Sequence, residues 1–334
     1  MRILVTGATG FIGREIVAEL VENNHRVIGL GKNAKHPQAD SANHTFLRAD
    51  ITDYKNLSEL EKFRDVEAII HSAGLAHQFG DTGREQFEAV NIRGTENILN
   101  LGIKLRIKHF ILIGSTAVYG INKATGDLKH NSAVFNEETA PNPQTLYAES
   151  KLEGEKICRR MCEEHKIPLT IFRPAPVLGE ANVGNAARLI SAVEKNRFVW
   201  IGSGSNLKSL IYKRDVARAC VVLVEKKRNG TEIFNLSAEP VRMKDFVNEI
   251  SANLNVKIIP LEIPANFLEK VFRLNDKYAK IKKIEKLAGT IEKWLSEDVY
   301  AADKIAALYQ FKPQTPISEA IARQINYYKS SSEK

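Results

Sequence analysis

The first half of the chain alternates two hydrophobic patterns. Short runs of apolar residues fall at 2–6, 26–30, 45–49, 66–71, 109–113 and 169–172. Runs of this length predict strands, and unbroken apolarity suits strands covered on both faces. Between them, residues 11–22, 84–105 and 145–165 carry apolar positions three and four apart, which predicts helices. Strand–helix alternation predicts an α/β fold: a doubly wound parallel sheet with helices on both faces and right-handed crossovers.

After Pro174 the pattern loosens. Helices are predicted at 186–195, 214–225, 243–253 and 265–274, and short strands near 198–201, 210–212, 233–236 and 257–260. The expected organisation is a sheet domain over 1–174, to which 207–237 returns. Residues 175–206 and 238–330 form a smaller C-terminal α/β domain, and 331–334 a frayed tail. In 277–293, Ile281, Ile284, Leu287 and Ile291, followed by Trp294, recur at helical spacing among lysines. That predicts an amphipathic helix with a solvated basic face.

Composition narrows the partners. The 334 residues carry 48 basic and 40 acidic side chains, a net charge of +8. A positive field attracts nucleic acid or an anionic small molecule. No zinc-finger, RRM or KH pattern occurs, so nucleic acid is not expected and the small molecule remains. Three cysteines are too few for a disulfide framework and point to a reducing, cytoplasmic compartment. Cys158 and Cys162 have no further ligands at metal-binding spacing, so they read as buried thiols and no metal is expected. No apolar run of about 18 residues predicts a membrane span, and no signal peptide is read.

The first strand runs into Gly7-Ala8-Thr9-Gly10-Phe11-Ile12-Gly13, and a helix follows. A turn without side chains lets backbone amides and a helix N-terminus approach a pyrophosphate. Its place between strand and helix makes this a Rossmann-type dinucleotide site, with Gly7, Thr9, Gly10, Phe11, Ile12 and Gly13 lining it. After the third strand, Asp50 is placed to accept a bond from the adenine amino group and Ile51 to pack on the ring. The competing reading makes Asp50 a helix cap, with Asp53 the other candidate. The second strand ends Gly29-Leu30-Gly31-Lys32, with no acid for a ribose 2′-hydroxyl. Lys32 and Arg14 suit a 2′-phosphate instead, so NADP(H) is expected over NAD(H), which stays possible.

Tyr147 and Lys151 stand four apart on a predicted helix and share one face. A phenol near pKa 10 is too weak a base at neutral pH, but a neighbouring ammonium and a cationic nicotinamide ring favour the phenolate. Ser115, at the C-terminal end of the fifth strand, is placed to bond the substrate oxygen, with Thr116 beside it as second candidate.

These residues together resemble the NAD-dependent epimerase/dehydratase family of extended short-chain dehydrogenase/reductases. The resemblance rests on residues 7–13, Asp50-Ile51, Asn91 to Thr95, Ser115 to Gly120, Tyr147 to Lys151 and Arg173-Pro174. It implies that Lys151 also holds the nicotinamide ribose and that Pro174, Pro176 and Val177 lie along the coenzyme. Asn91 resembles a residue that supports the active-site geometry, beside its reading as a helix cap. Val183-Gly184-Asn185 and Asn206 to Tyr212 look like the nucleotide-sugar subgroup. Asn185 and Lys208 would then hold a diphosphate, with Lys208 where the family usually has arginine. The likeness implies a 4-epimerase or 4-ketoreductase of a surface-polysaccharide pathway, with the missing acid after Gly31 leaning toward a reductase. A 4,6-dehydratase fits less well, because Thr116-Ala117 stand where that subgroup has Asp-Glu. A reductase of non-sugar carbonyl compounds and a non-catalytic dinucleotide sensor are the alternatives. Relatives imply a homodimer through helices 84–105 and 145–165.

Overall fold

The computed structural model describes residues 1–32, 42–76, 83–121, 134–226, 229–258, 261–264, 291 and 293–332. The sheet domain begins with β1 (Arg2–Thr6), α1 (Gly13–Glu22), β2 (Arg26–Gly31), β3 (His44–Arg48), α2 (Tyr54–Ser58) and β4 (Ala68–His71). Then come α3 (Arg84–Phe87), a π-helical turn (Glu88–Arg93) and α4 (Gly94–Leu105), which together occupy the span the pattern reads as one helix. β5 (His109–Ile113), α5 (Leu146–Glu164) and β6 (Leu169–Pro174) follow. Thr145 caps α5, accepting from the Ala148 amide.

The remainder comprises β7 (Val177–Leu178), α6 (Asn185–Glu194), β8 (Trp200–Ile201), β9 (Leu207–Lys208), β10 (Ile211–Tyr212) and α7 (Lys213–Val224). β11 (Thr231–Leu236), β12 (Val241–Arg242), α8 (Met243–Leu254), β13 (Glu262–Ile263), α9 (Asp303–Tyr309) and α10 (Ile317–Ser332) complete it. Residues 257–258 form no strand; the short strand comes later, as β13, paired with β8. α10 continues through Ser332, so the tail read from 331 is helical at its start. The expected helix at 265–274 lies outside the described residues, as does 277–293 apart from Ile291 and Lys293.

Among the described residues, seven strands form one sheet in the order β11-β6-β5-β4-β1-β2-β3. All its pairings are parallel. Alternation along the strands sorts side chains into two cores. Ile3, Val5 and Val27 face α1 and α7, with Ile16, Leu20, Val216 and Cys220. Leu4, Ile28 and Leu30 point the other way, to the core that holds Ile98, Leu99, Cys158 and Cys162. All three cysteines are buried and unbridged. A third core gathers Leu178, Ile190, Leu210, Phe246, Val247 and Ile321 around the C-terminal elements.

The chain leaves β3 at one edge and re-enters the sheet at β4, beside β1. That reversal opens a crevice beyond the C-terminal ends of β1 and β4, where α/β sheets bind ligands. No helix among the described residues is long and apolar enough to cross a membrane.

Candidate active site

The glycine turn is built by close approach. Gly7 has φ +67, and a Cβ there would stand 2.7 Å from the Ala73 backbone nitrogen. A Cβ at Gly13 would stand 2.0 Å from the Gly7 carbonyl oxygen. Any side chain at either position would push the turn off β4 or α1 off the turn. Gly10 is exposed, and no side chain caps α1. Bare backbone at an uncapped helix N-terminus fits a dinucleotide pyrophosphate.

The adenine side differs from expectation in three places. Arg14 donates to the Thr9 carbonyl (3.0 Å) and the Gly10 carbonyl (3.2 Å), so its guanidinium braces the turn. Lys32, with 77% of its side chain exposed, pairs with Asp50 at 2.9 Å. Asp50 also accepts from the Thr52 amide and hydroxyl. Burial raises the Asp50 pKa, but the bonds from Lys32 and Thr52 outweigh it and hold the carboxyl below its usual value. Asp53, not Asp50, caps α2. Ile51 is buried in the core and occupies the space over Gly94, so its side chain is spent on packing rather than left for an adenine ring.

The proton-transfer candidates meet at the end of β5. Ser115 caps the short turn Thr116–Tyr119, accepting from the Ala117 amide at 3.1 Å. Its hydroxyl is hydrogen-bonded to the Tyr147 phenol. Tyr147, in the first turn of α5, is half-buried, and the Phe87 ring lies 6.3 Å away. Burial pushes the phenol above its usual 10, and the Ser115 bond pulls it back in part. Lys151, one turn on, points its ammonium at the Ile113 carbonyl, 2.5 Å away. Burial takes its pKa down to about 8, against the opposing pull of Glu155. The acidifying contact on Tyr147 here is thus Ser115, because the amine is turned to the end of β5.

Asn91 lies in the π turn and caps nothing. Its side-chain oxygen accepts from the Leu75 amide (2.7 Å), and its nitrogen donates to the Leu75 carbonyl (3.0 Å) and Ser150 Oγ (2.9 Å). It ties the loop after β4 to α5 between Tyr147 and Lys151. Gly154 lets α5 come that close, since a Cβ there would stand 2.9 Å from the Asn91 carbonyl oxygen.

Two predicted substrate contacts are spent elsewhere. Thr116 is buried, and its hydroxyl donates to the Pro174 carbonyl at 3.2 Å. Lys208 Nζ meets the Lys293 and Ser296 carbonyls, Ser296 Oγ and Asp298 at 2.7–3.3 Å. Its ammonium therefore holds the segment 293–298. Asn185 is exposed at the start of α6. Pro174 ends β6, Pro176 is exposed, and Val177 begins β7.

The sequence reading gave no role to three buried residues. Glu155 and Arg173 pair at 2.6 Å with 1% of each side chain exposed. His71 lies between Thr6 and Thr95. A charged residue one turn after Lys151 and a histidine ending an apolar strand were the available signals.

The model of the NAD dependent epimerase/dehydratase family matches residues 3–237. This chain belongs to that family. It is therefore an enzyme of the extended short-chain type that its motifs resemble. Members similar to it include a putative UDP-glucose 4-epimerase of Methanocaldococcus jannaschii, 30% identical over 98% of this chain and 99% of the relative. An Escherichia coli O157:H7 member, N-acetyl-alpha-D-glucosaminyl-diphospho-ditrans,octacis-undecaprenol 4-epimerase, is 27% identical over 78% of this chain and 75% of its own. Among solved structures, the UDP-glucuronic acid 4-epimerase of Bacillus cereus in complex with NAD is similar in fold. Its TM-score is 0.76 at 22% identity, over 99% of both chains.

Proposed function

We propose that this family member acts on C4 of a nucleotide-diphosphate sugar and interconverts its C4 epimers. The observation that carries the reading is the hydrogen-bonded Tyr147–Ser115 pair at the end of β5, in a sheet whose β1 feeds the glycine turn. The names of the relatives support C4 as the reacting carbon.

The coenzyme, when bound, supplies the acceptor and donor of hydride. The residues of the chain do the rest. Tyr147 removes the proton from the C4 hydroxyl as the carbon is oxidised and returns one as it is reduced. Ser115 donates to the same oxygen and steadies the charge on it. Lys151, when charged, favours the phenolate and suits the nicotinamide ribose. The open amides at the start of α6, with Asn185, are our candidates for the diphosphate.

NAD(H) suits this reading, because Asp50 already meets the charge of Lys32. A second reading, 4-ketoreduction with NADP(H), is favoured by the exposure of Lys32 and the absence of an acid after Gly31. We place the protein in the cytoplasm as a homodimer serving polysaccharide synthesis; a monomer mass by light scattering removes the dimer.

One experiment separates these readings. The protein is incubated with UDP-, dTDP- and GDP-sugars and a polyprenyl-diphosphate sugar, and products are read by NMR. Epimerisation gives C4 epimers with no net use of coenzyme; ketoreduction uses one NADPH per sugar. If no diphospho-sugar is converted and none raises the melting temperature, the substrate class is wrong. Tyr147→Phe should lower turnover by roughly 10²-fold or more while coenzyme binding holds. Near wild-type turnover would remove Tyr147 from the chemistry.

A further inference from the structure

His71 ends β4 with 1% of its surface exposed. Its ring lies against Phe110 of β5 and between two hydroxyls. Nδ1 is 2.7 Å from Thr6 Oγ1, and Nε2 is 3.0 Å from Thr95 Oγ1. Counting protons fixes the direction of each bond. The Thr95 hydroxyl has one hydrogen, and it goes to the Asn91 carbonyl at 2.7 Å. Thr95 Oγ1 must therefore accept from His71, so Nε2 carries the hydrogen. Thr6 Oγ1 accepts from the Ala73 amide at 3.1 Å, which leaves its own hydrogen for Nδ1. Every donor and acceptor is used once, and the ring is neutral with the proton on Nε2.

The series does not stop at Asn91. The Asn91 side chain donates to Ser150 Oγ, and Ser150 donates to the Tyr147 carbonyl at 2.8 Å. One path thus runs from the strand that feeds the glycine turn, through the imidazole and the π turn, to the backbone of Tyr147. Asn91 stands in the π turn, and its side chain meets the backbone of Leu75 in the loop after β4. Among the described residues, Lys151 of α5 is the charged group that acts on His71, and Thr6 of β1, Thr95 of α4 and Phe110 of β5 contact its ring. Burial and the charge of Lys151 hold the imidazole pKa down at about 3. A second cation there would oppose Lys151, and an apolar residue would leave the Thr6 hydroxyl hydrogen without an acceptor and Thr95 Oγ1 without a donor.

We propose that His71 is a positioning residue, which as the neutral Nε2–H tautomer holds the Asn91 turn and thereby sets where Tyr147 and Lys151 stand relative to the glycine turn. This rests on the proposed role of Tyr147 as the proton-transfer group, so the test has arms that need no substrate. In protein with ¹⁵N-labelled histidine, His71 should show a protonated Nε2 and a bare Nδ1. It should not titrate between about pH 5 and about pH 9. The other tautomer, or a titration in that range, overturns the proposal.

The second arm follows Tyr147 ionisation by ultraviolet difference titration, wild type minus Tyr147→Phe. Thr95→Val removes one hydroxyl at constant shape and should shift that ionisation upward as the Ser115 contact slackens. An unshifted ionisation overturns the proposal. With a converted sugar in hand, Thr95→Val and His71→Leu should lower kcat roughly tenfold or more, with KM and coenzyme Kd within about twofold. His71→Gln, whose amide can replace the Nε2–H donor, should recover much of the loss. Unchanged kcat in folded Thr95→Val, or a loss confined to melting temperature, would show a purely structural role. If the wild type converts no sugar, the function reading fails, and the first two arms still decide this one.

Discussion

Lys151 is buried enough for its charge to be costly. It titrates at about 8 in the folded protein, against 10.5 for an exposed lysine. Between these values the unfolded chain binds more protons than the native one, so stability should rise with pH across that window. Urea midpoints measured from about pH 7.5 to about pH 10.5 should climb in the wild type and climb less in Lys151→Met. An equal or steeper climb in the variant would show that Lys151 is not the group responsible. The same scale separates what a residue type offers from how this fold uses it. Ile51, Thr116 and Lys208 have the right chemistry for ligand contacts, yet each is committed to a protein partner. A side chain's type names the bonds it can make, and its neighbours decide which it does make.

At the scale of elements, α5 carries Tyr147, Lys151 and Glu155 at successive turns, and Glu155 locks the helix to β6. Arg173 meets Glu155 through both Nε and Nη2, and Nη1 donates to Tyr119 Oη at 3.0 Å. Tyr119 in turn donates to Asn235 at the end of β11. Burying both charges is expensive, so the pair adds little net stability, but breaking it strands one charge. Glu155→Leu should cost about 3–5 kcal/mol, and Glu155→Leu with Arg173→Met distinctly less. Urea denaturation of both variants checks this; a single variant no worse than the double would mean that Arg173 finds another partner. The arrangement matters for chemistry because it fixes the rotation of α5 about its axis, and hence the face that Tyr147 and Lys151 share.

At the scale of the whole molecule, one cation joins the glycine turn to the C-terminal elements. Lys213 Nζ lies 2.9 Å from Glu15 on α1 and 3.1 Å from Glu180, in the loop that leads to α6. Only 7% of its side chain is exposed, and the Phe11 ring is 5.8 Å from its ammonium. Gln324 of α10 holds the same loop by accepting from the Gly179 amide. Lys213→Met leaves two carboxylates facing each other and should loosen the loop that leads to Asn185 at the start of α6. The expected result is a lower melting temperature and a sugar KM raised by more than kcat falls. An unchanged KM would separate this cluster from substrate binding.

The sequence alone determined the parallel sheet, the glycine turn and the shared helical face of Tyr147 and Lys151. These are local: strand periodicity, a turn that admits no side chain and a spacing of four are each set within a few residues. It also marked Ser115, because the end of a parallel strand is a fixed address in this architecture. Tertiary structure decided the rest. The Asn91 bridge, the neutral imidazole of His71 and the Glu155–Arg173 pair join residues 16 to 65 positions apart. Hydrogen-bond direction and desolvation depend on what packs across the gap, and periodicity carries no record of that. For the same reason the pattern placed Lys208 at a diphosphate, while packing gave its ammonium to the oxygens of residues 293–298.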